Sequence, residues 1–452
     1  MRHRSSKTAK FVGKQQRQAA AFRIALYCFF ILLIGVIGLT EASEEESVNL
    51  LAKTADAIGL LAFGILALQF LLASRLPWIE RPFGLDRLIR FHRSMGVTAA
   101  TLLIAHPVLM TLSGEPELLT KLSVEWPVQL GRMAVLVLFA TVVVSLRRTA
   151  LRIPYERWRF WHNVAAVSVL GLAFTHSFFV KDGIHTRLGR GFWTVLVGSA
   201  FLAWGYRHLR EWHQHHAGRY VVSQVLPEAN NTWTVILKPQ GGNRIPPHLP
   251  GQFAFIKVVH GYGAGEEHPF TIASPPEQED LVFTIRNSGD FTSRIHQLKP
   301  GTKVSVHGPF GRFSAALYPE EIELVFIAGG VGLTPFLSMI RSMHHSRTWR
   351  PTTVLHACRT EADLLLRDEL RAIEKSSQGQ LRVMHVLSSP DDTWHGRRGH
   401  IDHKIIEEHL GESAAARGFY ICGPSAMMKA VEQHLMQMGI SQARIHSEKF
   451  AL

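Results

Sequence analysis

Apolar and polar positions divide the chain into two unlike halves. Up to Tyr206, six apolar stretches recur, at 24–40, 57–74, 94–112, 133–146, 160–180 and 191–206. Several reach the roughly 17 to 25 residues with which a helix crosses a bilayer, so a six-helix transmembrane bundle is expected. The fourth is the weakest, with 14 uncharged residues unless Arg132 snorkels from its outer end. Beyond Tyr206 the pattern changes. Short β-rich runs at 220–226, 232–238, 252–259, 269–274, 281–286 and 303–307 alternate with turn signals, which predicts a small antiparallel β-barrel. From Glu323 onward, apolar strands at 324–328, 353–358, 381–387 and 418–422 alternate with helical stretches, the pattern of an α/β doubly wound parallel sheet. The expected organisation is multidomain: a transmembrane domain over 1–215, a barrel over 216–316 and a nucleotide-binding type of sheet over 317–452.

Composition agrees with a chain partly in lipid. Of 452 residues 46% are hydrophobic and only 19% charged, against about 25% charged in an ordinary soluble protein. The formal charge of +13 is compatible with nucleic acid or with positive-inside loops, and its placement decides. Seventeen Lys and Arg lie in the N-terminal arm and the loops 75–93 and 147–159, whereas the alternate connections hold six: Lys53, Lys121, Arg132, Lys181, Arg187 and Arg190. That asymmetry puts the N-terminus and the whole C-terminal half in the cytoplasm of a multi-pass cell (inner) membrane protein. The basic arm is expected at lipid headgroups, and no nucleic-acid module is present. Read instead as a signal peptide, the first stretch is long for an h-region and lacks an AxA-like cleavage pattern.

Three cysteines, Cys28, Cys358 and Cys422, are too few for a disulfide framework, a four-thiolate cluster or a CxxCH haem attachment. Histidine is the available metal ligand. His92 and His106 lie on the third stretch or at its inner end, and His162 and His176 on the fifth, each pair 14 residues apart. Fourteen helical steps fall about 40° short of four turns and rise about 21 Å, so each helix presents two imidazoles on one face. Because the two helices run in the same direction, His92 pairs in depth with His162, and His106 with His176. Two facing imidazoles are axial ligands for a non-covalently held b-type haem, and two levels make a ladder across the membrane. Helix-end or packing histidines are the plainer alternative, which a second pair at identical spacing disfavours. Pro107 is expected to kink its helix beside the outer pair.

In the second half, HPFTIAS at 268–274 by itself is a strand with hydroxyls. IRNSGDFTSRI at 285–295 adds Gly289, which permits close backbone approach, and Arg286 and Arg294, which can meet phosphate. A strand runs into GGVGLTPF at 329–336, where glycines admit a pyrophosphate at a helix start, although Pro335 stands where a GxGxxG motif has its last glycine. FYICGPSAMMKAV at 419–431 again opens a helix after Gly423 and Pro424.

HPFTIAS, GDFT, GPFG (308–311), GGVGLTPF, CGP and an aromatic near the C-terminus, following two His pairs, resemble the NADPH oxidase and ferric reductase family over about 55–452. The second half alone resembles the broader ferredoxin–NADP reductase superfamily. The resemblance implies that His268, Phe270 and Thr271 contact FAD, with Arg286, Asp290, Phe291 and Thr292 completing its site. It implies a nicotinamide nucleotide site at Gly330, Gly332, Thr334 and Pro335 with Cys422, Gly423 and Pro424. Phe450 matches the aromatic that covers the flavin ring in relatives, where it is often the last residue; here Ala451 and Leu452 follow. Arg359, after the strand 353–358, sits where the 2′-phosphate of NADPH can be read, with Arg397 and Arg398 in the loop after the next strand.

The expected function is electron transfer from cytoplasmic NADPH (or NADH) through FAD and two b haems to an outer acceptor, with oxygen giving superoxide as the first choice. A ferric chelate, or a periplasmic acceptor protein to which this chain donates electrons, are the alternatives. A transporter with a regulatory nucleotide domain leaves HPFTIAS and Phe450 unexplained. About 23 residues precede the first stretch without a DxDxDG loop, so no calcium switch is expected. The second outer loop carries Glu115, Glu117 and Glu125 against Lys121, and the third Lys181, Asp182, Arg187 and Arg190, with no dedicated chelate cluster.

Overall fold

The computed structural model describes residues 2–43, 49–114, 117, 121, 124–180, 183–216, 220–241, 244–259, 266–410 and 417–448. Phe450, Lys181, Asp182, Glu115 and the acidic run 44–46 lie outside these residues. The chain divides into two compact units, Arg17–Glu211 and Trp212–Leu452, the latter taken with Met1–Gln16.

The first unit is helical: α1 (Arg2–Ser43), α2 (Leu50–Ala73), α3 (Pro77–Phe83), α4 (Leu85–Leu112), α5 (Trp126–Arg147), α6 (Tyr155–Phe179) and α7 (Arg187–His216). Among the described residues, four helices are long and apolar enough to cross a membrane: Gln18–Ala42 within α1, Leu50–Ala73, Arg87–Leu112 within α4, and Trp126–Arg147. Helices α6 and α7 are as long, but polar residues such as His162, Asn163, Thr175 and His176 punctuate the apolar run of α6. Leu32, Leu136, Val195 and Leu202 project outward, an exposure that water penalises and lipid does not.

Inside the bundle, Phe63 of α2 stacks on Trp193 of α7 with ring centroids 4.9 Å apart. Gly64 lets α1 approach α2, since a Cβ there would lie 2.6 Å from Ile34 Cγ2. The outer end of α1 is latched chemically. Buried Glu41 accepts the main-chain N–H groups of His185 (2.9 Å) and Thr186 (3.2 Å) and the Thr186 hydroxyl, satisfying donors ahead of α7 that lipid cannot. Helix α5 is longer than the apolar run 133–146, and Arg132 near its start donates to the carbonyls of Lys121 (2.8 Å) and Glu117 (3.3 Å). Helix α4 runs through Pro107 without interruption.

The second unit holds two sheets. The first is antiparallel, in the order β4-β3-β6-β1-β2-β5, with β1 (Tyr220–Ala229), β2 (Thr232–Pro239), β3 (Phe253–Val258), β4 (His268–Thr271), β5 (Leu281–Arg286) and β6 (Lys303–Phe310). Its alternating inward positions, Val222, Val235, Leu237, Phe283 and Ile285, form one core. The edges approach each other just past β4, where the Ala273 N–H donates to the Val282 carbonyl at 2.8 Å.

The second sheet is parallel throughout, in the order β10-β9-β8-β7-β11-β12: β7 (Glu323–Gly329), β8 (Thr352–Cys358), β9 (Leu381–Leu387), β10 (Arg397–Arg398), β11 (Arg417–Cys422) and β12 (Ile445–Glu448). Its strands are nearly continuous apolar runs because helices cover both faces. Strands β10 and β12 were not expected: at two and four residues they carry no apolar signature of their own. Under the sheet, buried Glu321 accepts from Tyr420 Oη (2.5 Å) and His446 Nε2 (2.7 Å), while Arg350 donates to the carbonyls of Ala315, Tyr318 and Glu321. Burial and Glu321 hold the Tyr420 hydroxyl far above its ordinary pKa, so it stays a donor. The two sheets are tied directly: Ser338 Oγ donates to the Ser274 carbonyl (2.9 Å), and Arg341 bridges Glu369 and the Ala273 carbonyl.

Candidate functional site

Within the bundle the four histidines meet in two pairs of neighbouring levels on α4 and α6. The rings of His92 and His162 face each other with centroids 6.3 Å apart. Two metal–imidazole bonds of about 2 Å, plus about 1.1 Å from each nitrogen to its ring centre, need a separation of about 6 Å. Their separation is therefore compatible with a metal held between them, the rings being turned 74° to one another. A shallow cleft opens beside this pair, lined by Gln69, Phe70, Asn163, Ala166, Trp204 and Arg207 among others. Trp158 packs against His162 (centroids 5.1 Å) and donates its indole N–H to Ser145 Oγ, which lies 3.4 Å from His162 Nδ1. His92 Nδ1 is buried without a hydrogen bond, with the Gln69 main chain beside it.

His106 and His176 are held differently. His106 Nδ1 lies 2.8 Å from the Ala55 carbonyl and His176 Nδ1 2.9 Å from the Pro127 carbonyl. A carbonyl can only accept, so each Nδ1 carries the proton and each Nε2 keeps its lone pair, the tautomer that ligates a metal.

In the antiparallel half, His268 at the start of β4 stacks on Phe291 (centroids 4.1 Å), and Phe270 lies 6.2 Å from the same ring. Thr271 is buried in β4 opposite Phe253. Phe291 and Thr292 sit on the short helix Asp290–Ser293, whose start is tied by Thr292 Oγ1 accepting from the N–H groups of Ser288 (2.8 Å) and Gly289 (3.0 Å). Asp290 and Arg286 are exposed at the two ends of this turn.

In the parallel half, the motifs 329–336 and 422–424 come together. Strands β7 and β11 are adjacent, yet β7 leads through the helix Thr334–Ser346 to β8 on its other side, so the chain parts at their C-terminal ends. That is the topological switch point, where an open parallel sheet leaves a crevice. Gly330 adopts φ +53°, and a Cβ at Gly332 would lie 2.3 Å from the Cys422 carbonyl oxygen. Gly423 approaches Gly329 closely as well, a Cβ there standing 2.9 Å from its Cα. Thr334 and Pro335 open the helix, with Thr334 Oγ1 donating to the Val331 carbonyl at 3.0 Å. Arg286 reaches this loop: its Nη1 is 3.3 Å from where a Gly330 Cβ would stand. Arg359 is exposed just past β8.

Arg398 donates to the carbonyls of Asp391, Asp392 and Trp394, and Arg397 pairs with Glu408 at 2.5 Å, so both guanidinia have local partners. Cys422 is buried, and burial with Glu448 nearby keeps its thiol well above the ordinary pKa and therefore protonated. His356, which no motif marked, lies fully buried beneath the loop with Nε2 3.1 Å from the Gly330 carbonyl. Burial, then His385, pushes its pKa down to about 3, so it stays a neutral donor to that carbonyl.

Three family profiles match the chain in order: "Ferric reductase like transmembrane component" over 58–173, "FAD-binding domain" over 234–314, and "Oxidoreductase NAD-binding domain" over 326–433. An NADH-cytochrome b5 reductase-like protein of Emericella nidulans is 32% identical over 155 residues, 34% of this chain and 33% of that one. A flavohemoprotein of Deinococcus radiodurans is 27% identical over 237 residues, 51% and 58% of the respective chains. Amycolatopsis cytochrome P450 reductase GcoB aligns with a TM-score of 0.45 and 26% identity over 51% of this chain and 69% of that one. The chain spans between a third and three fifths of the length of the curated relatives it matches. Fold and profiles define a membrane protein with the FAD and NAD(P)H modules of an oxidoreductase. The order of the three domains matches the architecture of the NADPH oxidase and ferric reductase family.

Proposed function

We propose that this chain carries electrons from cytoplasmic NAD(P)H through FAD and two b-type haems to oxygen on the outer face, giving superoxide. The observation that carries the reading is the pair of histidine levels in one bundle, joined in a single chain to flavin and nicotinamide modules. A nicotinamide yields two electrons as a hydride, a haem iron takes one, and a flavin between them does both. In this reading the bundle has six spans, with α6 and α7 the remaining two, and the first sheet closes as a barrel. The domains divide at 215/216 and 316/317, and the basic loops keep the N-terminus and both nucleotide modules cytoplasmic.

His92 with His162, and His106 with His176, hold the two haems. His268, Phe270 and Phe291 offer the flavin an aromatic wall, Thr271 and Thr292 polar contacts, and Arg286 and Asp290 the ends of its turn. Gly330, Gly332, Thr334, Pro335, Gly423 and Pro424 line the nucleotide crevice, where the start of the helix Thr334–Ser346 favours a pyrophosphate; Cys422 backs that crevice as a neutral thiol. Phe450 would cover the flavin ring. Arg359 reads the 2′-phosphate, so Arg359→Ala should raise the KM for NADPH about tenfold, one charge-assisted contact, and leave that for NADH nearly unchanged. Equal effects in steady-state assays would remove Arg359 from the site.

His106 and His176 would together hold the second haem, which would leave an acceptor no open metal site and favour single-electron transfer. Purified protein should therefore reduce cytochrome c with NADPH in a reaction suppressed by superoxide dismutase. Dismutase-insensitive reduction, with rapid ferrous capture under argon, would transfer the assignment to a ferric chelate; neither signal would leave a periplasmic acceptor protein.

A further inference from the structure

The two outer histidines are held by the same device twice. On α2, the Ala55 carbonyl faces His106 Nδ1, and Gly59, four residues on, lies under the ring: a Cβ there would stand 3.0 Å from Nδ1 and 3.1 Å from Cγ. On α5, the Pro127 carbonyl faces His176 Nδ1, and Gly131, again four residues on, would place a Cβ 2.8 Å from Nδ1 and 2.9 Å from Cε1. Residues four apart lie one above the other on a helix face, so each helix presents one exposed carbonyl and one bare patch of backbone. An imidazole can lie flat on that patch only if no methyl group stands there. The inner histidines have no such seat. His92 Nδ1 has the Gln69 main chain beside it but no hydrogen bond of the geometry seen at His106 and His176, and His162 Nδ1 has only a hydroxyl at 3.4 Å.

We propose that Ala55/Gly59 and Pro127/Gly131 are paired cradles, and that Gly59 and Gly131 are positioning residues that fix the tautomer and ring orientation of the outer haem ligands. The proposal rests on the bis-haem reading. An Nδ1–H bonded to a carbonyl makes Nε2 a stronger base, which favours ferric over ferrous iron. The cradles therefore lower the potential of the outer haem selectively, whereas the inner haem is set by Trp158, Ser145 and the cleft.

The test uses the full-length protein in detergent, with Gly59→Ala, Gly131→Ala and, as control, Gly198→Ala, where an added Cβ meets nothing within 4 Å. Haem-to-flavin ratio and redox titration of the haem bands are the readouts. In each cradle variant one midpoint should move upward or its haem be lost, that haem being the one missing from His106→Ala, while FAD, the other midpoint and the control stay unchanged. Unchanged midpoints with two haems per flavin in both cradle variants would overturn the proposal. Should the cradle variants lose FAD and all haem, the parent protein decides. After transfer to deuterated buffer, electron–nuclear double resonance should find slowly exchanging Nδ1 protons on one haem and not the other; rapid exchange on both would overturn it. A parent protein without two haems, or a His106→Ala variant keeping both, would instead refute the bis-haem reading.

Discussion

Replacing His92 and His176 together by alanine should yield a protein that keeps its flavin and contains almost no haem. One imidazole is removed from each level, so neither haem keeps both axial ligands, and no cysteine is placed to attach a porphyrin covalently. A haem held by one imidazole loses a metal bond and the ring that clamps its second face; even partners one shell further out are typically worth about 10- to 100-fold in affinity. The flavin module is a separate compact unit and should be indifferent. Pyridine haemochrome and flavin assays on the same sample give the ratio, expected near two in the parent and near zero in the double variant. Two haems retained would mean that these histidines only pack.

Gly332→Ala should disable the nucleotide crevice while leaving both haems and the flavin in place. The added methyl would stand 2.3 Å from the Cys422 carbonyl oxygen, 2.6 Å from its carbon and 2.9 Å from Gly423 Cα. All three are main-chain atoms that no rotamer can move aside, so β7 and β11 must part where they are in register at Ala328 and Cys422. Overpacking of this kind costs about 1–3 kcal/mol. If half of that falls on nucleotide binding, the KM for NADPH rises about twofold to twelvefold. Stopped-flow reduction of the flavin by NADPH would measure it directly. Unaltered reduction would show that the loop has room to spare.

The histidine ladder is legible because helical periodicity converts a spacing of 14 into two heights on one face, with no knowledge of neighbours. The strands were legible for the same reason, wherever six or so alternating or continuous apolar residues ran together. Gly59 and Gly131 were not. A glycine in an apolar helix carries no mark of facing an imidazole 47 or 45 residues further along the chain, and only the packing of α2 on α4 and of α5 on α6 reveals it. His356 escaped notice similarly, since its value lies in the Gly330 carbonyl that the fold brings above it. The partners of Arg397 and Arg398 are equally invisible in the sequence. Charge beside a nucleotide site suggests phosphate, whereas here the loop's own carbonyls and Glu408 take both side chains.

Glu41 also sets an order of manufacture. Its partners, His185 and Thr186, follow it by 144 and 145 residues. At a synthesis rate of about 5–20 residues per second, the ribosome needs roughly 7 to 30 seconds to supply them. Until then Glu41 lacks the partners it has in the folded chain, so the tie between α1 and the turn before α7 forms only after every helix between them has been made.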